Sequence, residues 1–141
     1  MTMKISKSLY TAQTRTSGGR EGNGVSSDGA LNVKLSSPGS GKPGTNPEQL
    51  FGVGYSACFI GAMQIAGTSI GVKVPDDVAI DARVTLGKTE GGAAYALGVK
   101  LAISLPGLGE DEKKQLVAAA HQTCPYSHAT RGNIEVEFEI L

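Results

Sequence analysis

The sequence has no surplus of either charge: 13 lysines and arginines face 13 aspartates and glutamates, with no block of like sign. A chain that neutralises phosphates needs a basic face, so neither nucleic acid nor an anionic membrane is an expected partner. Long apolar runs are also missing. No stretch reaches the roughly 18 residues of a membrane span. The opening "MTMKISKSLYTAQTRT" lacks the uninterrupted apolar centre of a secretory signal, so a cytoplasmic protein is expected. Cysteine is scarce, with only Cys58 and Cys124. In a reducing compartment such a pair is seldom a structural staple; it is more often redox-active, metal-binding or two unrelated core thiols. At 141 residues the chain is expected to fold as one domain, 1–141.

What is present reads as an α+β arrangement. Residues 4–16 alternate loosely as a strand would, "SGGREGNGVSSDG" supplies a glycine-rich turn, and "ALNVKLSS" places Leu31, Val33 and Leu35 on one face at period two. That predicts a hairpin with Arg20 at or near its tip. In "NPEQLFGVGYSACFIGAMQIAG", Asn46 suits an N-cap, Pro47 the first helical position, Glu48 the positive end of the macrodipole and Gln49 a capping box. The helix that follows has almost no polar face and must be covered on most sides, and Gly67 and Gly71 are expected to close it. Two further strands meet at "KTEGG", one carrying Val78, Ile80, Ala82 and Val84, the other Leu97, Val99, Leu101 and Ile103. "GEDEKKQLVAAAHQT" predicts a second helix stopping near Cys124, because Pro125 disfavours its continuation. "NIEVEFEIL" predicts a last strand with Ile134, Val136, Phe138 and Ile140 facing in. The expected order is ββαββαβ, built from hairpins rather than parallel crossovers.

Several motifs carry less than they suggest. "SPGSGKPGT" has Pro43 where a phosphate-binding loop needs a hydroxyl and Ser36 in place of its first glycine. His121, Cys124 and His128 share a short segment, but at no familiar metal-ligand spacing, so no metal is expected. No acid or amide is placed to orient a histidine as base for nucleophilic hydrolysis by Cys58. Cys58 alone would pass for core, since free cysteine behaves as a small hydrophobe. Three features speak for a thiol site: Cys124 stands just before "PYS" at a helix end, Arg20 sits in a glycine-framed turn, and Glu48 begins the helix that carries Cys58.

The segments "SGGREGNG", "NPEQLFGVGYSACF" and "CPYSHATRGNIEVE" resemble the signature segments of the organic hydroperoxide resistance proteins, the Ohr branch of the OsmC/Ohr family. The likeness runs from the first hairpin to the last strand. It implies antiparallel sheets packed around a central apolar helix in an intertwined homodimer, and a cofactor-free thiol peroxidase reducing organic, including fatty-acid-like, hydroperoxides to alcohols. By the same resemblance Cys58 matches the peroxidatic cysteine, Cys124 the resolving cysteine that closes a Cys58–Cys124 disulfide, and Arg20 and Glu48 the polar pair that prepares the thiolate. The implied reductant is a dithiol, the dihydrolipoyl group of lipoylated proteins. His128 departs from the asparagine the pattern has between "CPYS" and "ATRGN". The alternatives are an OsmC-branch peroxidase of different substrate preference and a small-molecule binding protein of the same fold whose thiols are incidental.

Only a thiolate attacks a peroxide oxygen, and a thiol of pKa near 8.5 is only about 3% ionised at pH 7. Burial makes this worse, whereas an arginine within about 4–6 Å opposes it by roughly 1–3 units. Arg20 is the expected cation and Glu48 its bidentate holder. Ten residues separate Glu48 from Cys58, about 15 Å along one straight helix, so an Arg20 bound to Glu48 cannot also touch that chain's Cys58 unless Gly52 and Gly54 break the helix. A two-fold dimer with antiparallel central helices resolves the conflict by joining Arg20 and Glu48 of one subunit to the cysteines of the other. Release of the helix end at Pro125 is expected to bring Cys124 to Cys58. Phe51, Tyr55, Phe59 and Met63 are candidates to line a pocket for the alkyl group of the substrate, or to pack the core.

Overall fold

The computed structural model describes residues 2–141. They form two compact units, one ending at Pro47 and the other running from Glu48 to Leu141.

The first unit is an antiparallel sheet of β1 (Thr14–Ser17), β2 (Asn23–Ser26) and β3 (Asn32–Lys34), in that order. The hairpin has Arg20 at its tip, in the 3-10 turn Gly19–Glu21. Its return strand, however, is β2, which lies within the expected turn. Gly18 and Gly19 take positive φ of 74° and 58°, open to glycine without strain, so the chain reverses early. The strand expected over residues 4–16 is correspondingly reduced to β1. On that side β2 pairs with Thr14–Ser17 and no further upstream, and Ile5, Leu9 and Tyr10 lie exposed. Beyond β3 the chain loops back, with the Ser36 N–H donating to the Thr45 carbonyl at 2.9 Å.

The second unit is organised by α1 (Pro47–Ile70), a single helix unbroken at Gly52 and Gly54. Gly67 lies inside it. The Val72 N–H donates to the Gly67 carbonyl at 2.9 Å as Gly71 turns at φ 76°, which is the bond of a Schellman cap. By length and composition α1 could cross a bilayer. Here Tyr55, Phe59, Ala62 and Met63 sit in one core with residues of the second sheet and second helix, the place of a core helix.

β4 (Ala79–Lys88) and β5 (Tyr95–Ser104) form the expected hairpin, in register from Ala79↔Ser104 to Lys88↔Tyr95. Val99, Leu101 and Ile103 of β5 are buried. β6 (Val136–Ile140) alternates as its sequence predicts, with Val136, Phe138 and Ile140 half-buried between exposed glutamates. It runs parallel to β5, from Val99↔Val136 to Ile103↔Ile140, so the expectation of antiparallel sheets alone is corrected. The link from β5 to β6 passes through two helices, α2 (Glu110–Thr123) and α3 (Pro125–Thr130), and a helical crossover returns the chain in the same direction. The element order is therefore βββαββααβ. The additional helix has a local cause: the proline that ends α2 is well placed as the first residue of α3.

Candidate active site

α1 carries Cys58, half-buried, and the junction between α2 and α3 carries Cys124, fully buried; both are free thiols. Cys124 takes extended backbone angles, φ −67° and ψ 123°, between the two helices. Its thiol donates to the Cys58 sulfur at 3.6 Å. The expected release at Pro125 is thus unnecessary, because α3 begins where α2 ends and the thiols already face each other.

Burial pushes the Cys58 thiol above its ordinary value, since the charged form loses water. The backbone N–H of Tyr126, donated to the sulfur, pulls the other way, and the neighbouring Cys124 adds to the upward push because two thiolates at this distance would repel. Within this unit, one peptide N–H is the group that favours the thiolate.

Around the sulfurs lies a polar chain that joins three helices. The Arg131 Nε–H donates to His121 Nε2 at 3.2 Å, and its Nη2 donates to the His121 carbonyl. His121 Nδ1 lies 2.8 Å from Ser127 Oγ, which lies 3.0 Å from the Tyr55 hydroxyl. Tyr55 in turn lies 3.3 Å from Thr130 Oγ1, which donates to the Tyr126 carbonyl at 2.9 Å. The His121 imidazole is held below its ordinary value by burial first and then by the charges of Arg131 and His128. The Tyr126 ring sits against α1, edge-on to Phe51 with centroids 5.8 Å apart. It fits because Gly54 has no side chain: a Cβ there would lie 2.9 Å from the Tyr126 hydroxyl oxygen.

Of the residues expected from sequence, Cys58 and Cys124 are brought together. Arg20 is exposed at the tip of the first unit's hairpin, and Glu48 is half-buried in the first turn of α1. Tyr55, Phe59 and Met63 have no exposed surface and pack the core, so they support a site from behind; Phe51 is half-buried. Tyr126, Ser127, Thr130 and Arg131 were not expected at the site. Their one sequence signal is Pro125, which as a helix start rather than a stop folds the residues after Cys124 back toward α1.

Residues 39–139 match the family model described as OsmC-like protein. An organic hydroperoxide resistance protein of Xanthomonas axonopodis pv. citri is 52% identical over 134 residues, covering 92% of this chain and 93% of that protein. Among solved structures, the organic hydroperoxide resistance protein OhrB of Bacillus subtilis superposes with a TM-score of 0.88 at 39% identity, over 95% of this chain and 100% of that one. An organic hydroperoxide resistance protein of Elizabethkingia anophelis, with crystallant-derived thiocyanate bound, gives 0.84 at 40% identity, over 95% and 97% of the two chains.

Proposed function

The chain belongs to the OsmC-like family and has the fold of its hydroperoxide resistance members, and from that premise we propose that it is a thiol peroxidase that reduces organic hydroperoxides to alcohols. The observation that carries this reading is the pair of free thiols 3.6 Å apart, one half-buried and one enclosed. The Cys58 thiolate attacks the peroxide oxygen distal to the alkyl group. The O–O bond breaks, the alkoxide leaves and takes a proton as the alcohol, and the sulfur is left as a sulfenic acid. The Cys124 thiol then displaces water from that sulfenic acid, forming the Cys58–Cys124 disulfide before further oxidation. A dithiol, a dihydrolipoyl group in this proposal, reduces the disulfide by exchange and is itself oxidised.

Arg20 is proposed to supply the cation that Cys58 lacks within its own unit, with Glu48 holding the guanidinium. The unbroken α1 supports a composite site, since Glu48 and Cys58 stand about 15 Å apart along one helix. So do Val53 and Ile65, apolar residues on α1 that are 72% and 66% exposed, and the exposed apolar residues before β1. A second copy of the chain would cover both. Phe51 and the Tyr126 ring are the apolar groups proposed to meet the alkyl chain.

Hydroperoxide consumption by three proteins tests the reading. The unmodified chain should turn over with a dithiol reductant. Cys58→Ser should consume nothing, and Cys124→Ser should consume about one equivalent in a first turnover. Unchanged turnover in Cys58→Ser would contradict the assignment.

A further inference from the structure

The polar chain beside the thiols has a direction. An arginine can only donate, so His121 Nε2 accepts from Arg131 and the imidazole is neutral with its proton on Nδ1. Nδ1 then donates to Ser127 Oγ. At the other end Thr130 gives its proton to the Tyr126 carbonyl and so accepts from the Tyr55 hydroxyl, which leaves Ser127 to donate to Tyr55. Each hydroxyl in the chain has one donor and one acceptor partner in this single arrangement.

Where these residues stand matters as much as what they bond. Tyr55 lies three residues before Cys58 on α1, and His121 three residues before Cys124 on α2. Ser127, fully enclosed, follows Tyr126 on α3 and bonds both. One buried hydroxyl therefore ties together the three helices that present the two sulfurs and the Tyr126 N–H. An alanine would fill the enclosed Ser127 position without burying polar groups, and a fully satisfied polar network in a core fixes one geometry where apolar packing tolerates several.

We propose that Tyr55, Ser127, His121 and Arg131 are positioning residues for Cys58, fixing α3 against α1 and α2 so that the Cys124 thiol stays beside the Cys58 sulfur. They bond one another rather than the Cys58 sulfur, and act through α3. This inference rests on the reading of Cys58 as the reactive thiol.

The test is the pH dependence of Cys58 alkylation by iodoacetamide, followed by mass spectrometry, in the unmodified chain, Ser127→Ala and Tyr55→Phe. The groups facing the sulfur are the Cys124 thiol and the Tyr126 N–H of its own unit, with Arg20 and Glu48 as the charged pair proposed above, and both substitutions leave all of them in place chemically. Tyr55→Phe also keeps the ring that packs against Phe51, Phe59 and Tyr126. Both variants should move the alkylation midpoint by about half a pH unit or more, a roughly threefold change in thiolate at neutral pH, because burial, the Cys124 thiol and the Tyr126 N–H all act on the sulfur from where α3 sits. Folded variants whose midpoints coincide with that of the unmodified chain, even with lower melting temperatures, would overturn the proposal and leave the network a structural one. Alkylation needs no peroxide. A chain that fails to consume hydroperoxide would refute the peroxidase reading, while the midpoints still decide this one.

Discussion

A half-buried sulfur beside a second thiol ionises reluctantly, and the chemistry proposed for Cys58 requires that this be reversed. Arg20→Ala should therefore raise the pH at which the reaction with hydroperoxide reaches half its maximal rate. At pH 7 the rate should fall about 8- to 30-fold, the change in ionised fraction when a thiol returned to a pKa near 8.5 has lost a cation worth roughly 1–3 units, and most of it should return in alkaline buffer. Stopped-flow rates across pH check this; a uniform loss at every pH would instead mean that Arg20 binds substrate without acting on the thiol. His121 gives a prediction of opposite sense. Its imidazole is held below 6.5, so as pH falls the unfolded chain takes up this proton before the folded one does. Its contribution to stability is full above about pH 6.5 and is lost as pH falls toward the folded value. Urea unfolding at pH 7.5 and 5.5 should show a larger loss for the unmodified chain than for His121→Gln. The two cysteines were legible because their segments resemble a known pattern. The Tyr126 N–H was not, because a backbone donor has no residue type to betray it.

At the scale of elements, α1 was readable at its start, with a proline at the first helical position, and along an apolar run that needs covering on most sides, whereas Gly67, expected to help close it, lies inside it. Its last turn carries a prediction in which two rules oppose. Helix propensity says Gly67→Ala should stabilise by about 1 kcal/mol. The structure says otherwise, because a Cβ at Gly67 would lie 2.3 Å from the Val72 carbonyl oxygen, a backbone atom of the cap itself. The substitution should destabilise by about 2 kcal/mol, measured by denaturant unfolding, with strain and the lost cap bond outweighing propensity. The strands were legible wherever one face is buried, as in β5 and β6. They were missed in β2, where Asn23, Gly24, Val25 and Ser26 show no apolar alternation and the sheet is held by backbone bonds that any residue can make. The parallel run of β6 was missed for a related reason: alternation reports which face a residue occupies and says nothing of strand direction. Pro125 was read as a stop alone, although the same fixed φ that ends one helix starts the next.

The whole molecule is proposed to be a dimer with sites shared between subunits. Sedimentation should give twice the chain mass of 14.5 kDa, and Val53→Lys with Ile65→Glu should shift it toward the single chain. Sharing is tested by complementation. When Arg20→Ala and Cys58→Ser chains are co-expressed, a mixed dimer holds one complete site, with Arg20 from one chain and Cys58 from the other. Activity well above that of either parent is expected, whereas sites confined to single chains would give none. The account as a whole turns on two thiols consumed by one peroxide. Its most direct measurement is a thiol titration with disulfide mapping after one equivalent of an organic hydroperoxide is added to the reduced protein. The account predicts loss of both thiols and a Cys58–Cys124 bond; two thiols still free with the peroxide unspent would contradict it.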